Sequence, residues 1–518
     1  MRDANAARAG DSCRRFDPLG GDSIHPSVMK RCVSVVLAGF LLACATAPPK
    51  PQQKPSPATT WRDSVLYFVV LDRFADGDPA NNVSVDIAQK GTFHGGDLAG
   101  LLRQIDDIAS LGVTALWITP VVKNIDGFVT GAGFPDWAYH GYWTDDFDRL
   151  DPRFGTEAQL KQLVDECHAR GIKVLLDVVY NHAGYNTHYL ADPKTKAWLR
   201  SNETGSCGND DVTSCVAGLP DWKTELPEVD EFLMGAHLPL AKRVGLDGFR
   251  LDTVKHVQHP FWQEHRRRTR AIRNDFFLLG EVWGGDAQSL DPWFAGDEMD
   301  AGFDFGFQGS VIAWLQGRGR TIAFDRYLKS REKVRTGYLL SHFLSSHDVR
   351  GALDQLDGDK DLFRLAAILE FTSTGLPMIY YGEEVARRGG DWPENRSDMP
   401  WGDRAVKPGE GKPRDEAMLA DYKKLIAIRK AHVALSRGTH TPISTDGDLL
   451  VFSQRDETTG DQVIVAVNRG TAEAPLTVAV PWPVTQVTDS WYGEHLRVEA
   501  GTVRTVVGPK GARILSEK

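Results

Sequence analysis

Three things are scarce in this 518-residue chain, and each scarcity removes a class of function. Basic charge is the first: 60 Lys and Arg stand against 70 Asp and Glu, a formal net charge of −10. Such a chain lacks the basic footprint that binding along a nucleic-acid backbone requires, so no nucleic-acid partner is expected. Long apolar runs are the second. The apolar stretch at residues 32–44 is too short to cross a bilayer as a mature helix, and a multi-span membrane chain is excluded. Cysteine is the third, with six residues in all, enough for one local bridge. What is present is ordinary globular material, 42% hydrophobic and 25% charged, long enough for about three domains or one large barrel with additions. Its 14 Trp, 12 Tyr and 23 Phe stand beside 50 Gly, a mixture suited to loop-rich sites that stack flat-faced ligands.

The first sixty residues concern targeting. Residues 1–28 carry no apolar pattern, and Met29-Lys30-Arg31 opens a basic segment before the apolar run, so translation is expected to start at Met29. A basic segment followed by such a run is a secretory signal. It ends in Leu41-Leu42-Ala43-Cys44, which resembles a bacterial lipobox. Cleavage and lipidation at Cys44 would anchor the exported chain in the cell envelope, plain secretion being the alternative. Residues 45–60, rich in Pro, Gln and Lys, make a stiff extended tether. Export also fits Cys207 and Cys215, which flank a short polar loop and are expected to form a disulfide. Cys167 falls in a helical pattern and reads as a buried small apolar residue.

From Trp61 onward, short apolar runs alternate with amphipathic helical stretches, the pattern of repeated β-α units around a parallel sheet. Strands are expected at 65–72, 113–119, 172–179, 246–252, 276–282, 302–307, 342–346 and 377–381, with helices at 98–111, 157–170, 227–244, 260–272, 361–373 and 415–432. Eight strands each followed by a helix predict a (β/α)8 TIM barrel over 61–182 and 227–437. Residues 183–226, long and rich in Gly, Asp and Asn, form an excursion domain after the third strand; a loop of that length in a barrel is functional. Residues 438–518 switch to alternating strands and predict a C-terminal antiparallel β-sandwich domain.

Polar clusters stand where four of the apolar strands run out: Asp177 with Asn181 and His182, Arg250 with Asp252, Lys255 and His256, Glu281, and His347 with Asp348. The C-terminal ends of barrel strands line one shared mouth, which is where catalytic groups belong. A lone carboxylate there is more often a helix cap, but four ends in phase are not. In order and spacing these segments resemble the four signature regions of the α-amylase family of glycoside hydrolases, and Leu219 to Glu225 resembles a fifth. The resemblance covers nearly all of residues 61–518.

The resemblance implies Asp252 as nucleophile, Glu281 as general acid/base and Asp348 as a third carboxylate gripping sugar hydroxyls. Arg250 would keep Asp252 ionised, and Asp177 would pair with Arg250. It further implies His140, His182 and His347 as hydroxyl partners, Tyr142 as a platform under the ring being cleaved, and Lys255 and His256 beside the leaving sugars. Trp143 reads as an anchor on the barrel rim. Hard oxygen ligands cluster at Asp76, Asp78, Asn81, Asn82, Gly95 and Asp97, a set suited to Ca2+ and similar to a calcium loop of bacterial members, although tight turns use the same residues. A second calcium site through Asn181 and the main chain at His256 is implied as well, its other ligands unassigned.

The expected function is therefore a retaining α-amylase acting on the α-1,4 bonds of starch, glycogen or maltodextrins. The alternatives are a cyclomaltodextrinase- or neopullulanase-like hydrolase, an α-glucanotransferase, and remotely a non-catalytic glucan-binding lipoprotein. Members of the cyclodextrin- and pullulan-degrading group usually carry an extra N-terminal β domain, which weighs against that alternative. The non-catalytic one is disfavoured because all three carboxylates are present.

Overall fold

The computed structural model describes residues 61–517, residue 132 excepted; the signal segment, Cys44 and the tether lie outside the described residues. Eight strands form a closed barrel: β1 (Leu66–Val69), β2 (Ala115–Ile118), β3 (Lys173–Val178), β4 (Gly248–Leu251), β5 (Phe277–Gly280), β6 (Ala301–Asp304), β7 (Leu339–Phe343) and β8 (Leu376–Tyr380). Neighbours around the barrel are neighbours in sequence, β8 closes on β1, and every pair is parallel. The strands are almost wholly buried, because side chains fill the interior and helices cover the outside, which is why the sequence shows runs and not alternation. Inside, Phe68 and Trp117 stack at 3.5 Å between ring centroids.

Local sequence sets the helix ends. Helix α1 (Glu157–Ala169) begins in a capping box formed by Thr156 and Gln159. Helix α2 (Pro227–Val244) has proline in its first turn and ends at Gly245, whose φ of 82° is the left-handed conformation of a glycine cap. Register then fixes the chemistry. Arg250 of β4 is paired with Asp177 of β3, and Leu251 with Gly280 of β5, so Asp252 and Glu281 leave adjacent strands side by side.

Two strand positions differ from the sequence expectation. The expected strand 302–307 ends at Asp304, and Phe305–Leu315 is a helix, α3. That helix is nearly all apolar, so its periodicity could not be told from a buried strand. The seventh strand is Leu339–Phe343, not 342–346, which leaves Ser345 to Asp348 wholly in the loop beyond it.

The C-terminal strands β9 (Thr439–Ser444), β10 (Leu449–Arg455), β11 (Gln462–Asn468), β12 (Ala474–Ala479), β13 (Gln486–Asp489), β14 (Glu494–Glu499), β15 (Thr502–Val507) and β16 (Gly511–Ser516) make one antiparallel sheet in the order β9-β10-β11-β16-β13-β14-β15-β12. Val451 and Ile464 near one end share an apolar cluster with Leu476 and Val503 from the other, so the sheet doubles back into a sandwich. Phe452, Val465 and Ile514 on its other face join the barrel's own core, fastening the sandwich to the barrel. Among the described residues no helix is long and apolar enough to cross a membrane.

At Gly248 a β-carbon would lie 2.1 Å from the Phe277 carbonyl oxygen and 2.8 Å from Leu175. Gly248→Ala is therefore expected to force β4 from its neighbours, lowering stability by at least about 1–3 kcal/mol in chemical unfolding and depressing activity with it.

Candidate active site

The mouth is organised around one guanidinium. Arg250 is 1% exposed and donates from Nη1 to Asp252 Oδ1 (2.6 Å) and to both oxygens of Asp177 (3.1 and 3.2 Å), while Nη2 lies 3.1 Å from Glu281 Oε2. Its flat face lies over the Trp117 ring at 5.0 Å. Asp177 is closed off completely, since it also accepts from the Tyr142 hydroxyl (2.6 Å) and Trp117 Nε1 (3.1 Å). Burial pushes its carboxyl up to about 7 against the pull of Arg250.

Glu281 is the acid of the set. Burial lifts it to about 8; Arg250 opposes the rise, and Asp252 and Asp348 add to it. Its Oε2 also accepts the Thr253 N–H at 3.0 Å. Asp348 is the most open, with a side chain 28% exposed. Partial burial works against its ionisation, but His347 at 3.2 Å, Arg396 at 3.0 Å and Arg250 hold it below the ordinary carboxylate range. One buried carboxyl, Glu281, thus holds its proton near neutrality while Asp348 beside it is charged, two carboxyls set apart by their surroundings.

A cavity of about 270 Å³ opens above this cluster. His140, Tyr142, His182, Asp252, His347 and Asp348 line it, together with Asp136, Trp143, Leu219, Trp392 and Arg396. Burial depresses all three histidines, His347 to about 3, so neutral imidazoles face the cavity. Tyr142 stacks on His347 at 5.2 Å. A larger hollow of about 880 Å³ lies between barrel and sandwich, but none of its lining residues is aromatic and the carboxylate cluster is not there.

The family model for the α-amylase catalytic domain matches residues 68–204 and 209–400. The chain belongs to the α-amylase family. It is 31% identical to a cyclomaltodextrinase of a Bacillus species across 79% of this chain and 73% of that one, and 30% identical to neopullulanase 2 of Thermoactinomyces vulgaris across 88% and 77%. Among solved structures it resembles the Geobacillus thermoleovorans α-amylase complexed with acarbose, with a TM-score of 0.73 and 31% identity over 88% of this chain and 98% of that one.

In this α-amylase-family chain the structure does not bring every expected residue to the cavity. Lys255 and His256 are turned toward the loop closed by the Cys207–Cys215 disulfide: Lys255 Nζ lies 3.8 Å from Asp211 Oδ1, and His256 Nδ1 2.7 Å from the Asp211 carbonyl. Trp143, read as a rim anchor, packs on Tyr185 and lines the cavity too. Arg396 reaches the His347 carbonyl at 2.8 Å as well as Asp348; the sequence offers it only as part of the loop 387–401, whose position in the chain leads one to expect it at the border of the cleft. Nothing in its neighbours' spacing could have marked it, because its partners are about 48 residues away.

The oxygen-rich loop divides. Asp76 Oδ1, Asn81 Oδ1 and Asn82 Oδ1 are buried acceptors without a hydrogen-bond partner, an arrangement a hard cation would relieve. Asn82 Oδ1 faces Gly95, where a β-carbon would come within 2.8 Å. Asp97 instead accepts from the N–H groups of Gly77, Asp78 and Gly100 and from Asn81 Nδ2, and Asp78 caps a short helical turn. Both oxygens of Asp97 and one of Asp78 are thus engaged in shaping the loop. At Asn181 the side-chain oxygen faces Asp221 Oδ1 at 3.0 Å and the His256 carbonyl at 2.9 Å, a convergence satisfied by a turned amide or by a cation. Asp221, which the sequence analysis does not connect with Asn181, also accepts from Arg200 at 2.8 Å.

Removing the central cation should be costly. Arg250→Met is expected to lower stability by about 3–5 kcal/mol in urea unfolding near neutral pH, by stranding buried carboxylates. The deficit should shrink as pH falls, because protonated carboxyls no longer require the cation.

Proposed function

We propose that the protein is a retaining hydrolase of α-1,4-glucosidic bonds in cyclic and short linear maltodextrins, the cyclomaltodextrinase and neopullulanase type of activity. The observation that carries the retaining chemistry is that Asp252 and Glu281 contact the two arms of one guanidinium, at 2.6 and 3.1 Å, which keeps their carboxyls close together, as retaining glycosidases require. In this reading Asp252 attacks the anomeric carbon while Glu281 gives its proton to the departing oxygen. Glu281, now a carboxylate, then takes a proton from water, which displaces Asp252. Asp348, His347 and His140 hold the hydroxyls of the ring, and Tyr142 lies beneath it. Neutral imidazoles donate hydrogen bonds that strengthen as the ring flattens, so their effect falls on rate.

The cyclodextrin-acting reading is supported by similarity that spans 79% of this chain with the Bacillus cyclomaltodextrinase. A solved cyclomaltodextrinase aligns as well, at a TM-score of 0.77 over 90% of this chain. The expectation of a starch α-amylase stands as the second reading, supported by 31% identity to the periplasmic α-amylase of Escherichia coli. Initial rates on soluble starch, pullulan and a cyclodextrin separate the two: preference for the cyclodextrin supports the first, preference for starch the second. Product chains longer than the substrate would mark a glucanotransferase.

Calcium is part of the proposal. Asp76, Asn81 and Asn82 would hold one ion, and Asn181, Asp221 and the His256 carbonyl a second. The ion would supply rigidity to loops at the mouth and no step of the chemistry. Chelation should lower the melting temperature, added Ca2+ should restore it, and Asp76→Ala should reduce the effect. Anchoring through Cys44 is proposed from sequence alone, and fatty-acid labelling lost in Cys44→Ser would test it.

Two expected outcomes bear on the chemistry. Asp252→Asn should abolish release of reducing ends from maltodextrins; retained activity would sink the assignment. Because Glu281 titrates near 8, kcat should fall on the alkaline side as the acid loses its proton. Glu281→Gln should cost about 100- to 10,000-fold on natural sugars and remove that alkaline limb with an aryl glucoside whose leaving group needs no proton.

A further inference from the structure

The loops after β2 and β8 bring together at the mouth an aromatic pair that none of these roles uses. Trp392 lines the cavity with Asp252 and Asp348, is 39% exposed, and is stacked on Phe134 at 5.0 Å with 30° between the planes. Phe134 is backed in turn by Gly91, where a β-carbon would come within 2.6 Å of the phenyl ring. A Lys90–Glu394 ion pair ties the same segments together, and four residues past Trp392 the Arg396 side chain grips Asp348. An indole braced by a second ring and left part-open over a polar cavity is placed to be covered by a ligand. A pyranose fits that description, with an apolar C–H face for the indole and a rim of hydroxyls for the polar groups beside it.

We propose that Trp392, braced by Phe134, is the stacking platform of an outer sugar subsite of this cavity, holding a glucose unit of the bound chain beyond the one cleaved. This rests on the hydrolase reading above.

The experiment compares the unmodified enzyme with Trp392→Ala and Trp392→Phe on maltooligosaccharides from maltotriose to maltoheptaose, with melting curves for each. Trp392→Ala should lose about tenfold in kcat/KM on maltoheptaose, mainly through KM, and less than about twofold on maltotriose. Trp392→Phe should recover most of the loss, and the preferred cleavage point in reducing-end-labelled maltoheptaose should move in the alanine variant only. No loss at any length, or equal losses at every length, overturns the platform while leaving the hydrolase reading intact. Inactivity of the unmodified enzyme on the whole series would sink both.

Discussion

A buried guanidinium among three carboxylates is the constraint on which the site depends. Arg250 cannot shed its charge, and its neighbours are Trp117, Tyr142, Asp177, Asp252 and Glu281, with no water-facing side. Three full negative charges around one positive charge would be prohibitive in that setting. The raised positions of Asp177, about 7, and Glu281, about 8, relieve it, since both keep protons near neutrality. The arginine therefore does not face three full charges at once, and Glu281 is left holding a proton beside the cavity.

Around that cluster the mouth is polar but nearly uncharged. Burial keeps His140, His182 and His347 neutral, and the carboxylate most open to the cavity, Asp348, is neutralised by Arg396. A neutral sugar can enter without meeting an uncompensated field, and selectivity falls to hydrogen-bond direction and flat apolar faces. The acidic balance of the whole chain thus says little about its ligand.

Much of the fold was legible because strands buried on both faces read as apolar runs and amphipathic helices read by their period. It failed at the start of α3, where Phe305 and Phe307 prolong the apolar run of β6 and residues 305–307 read as strand. The carboxylates at strand ends were legible through their phase and their resemblance to signature segments. Arg396 and Trp392 were not, because each gains its meaning from residues far away in the chain: Asp348 for one, Phe134 for the other.

By itself the sequence determined the barrel, the sandwich after it and the identity of the carboxylates, because hydrophobic period and strand-end position are local properties of the chain. Only the tertiary structure decided how those groups ionise and what shares the cavity with them. Register put Asp177 opposite Arg250, closure of the barrel removed water from both, and the loops after β3, β7 and β8 met above them. The same closure turned Lys255 and His256 toward the disulfide loop and left Asp76, Asn81 and Asn82 with unpaired oxygens. Desolvation and partners brought from distant segments set those outcomes, and neither is written in the spacing of residues along the chain.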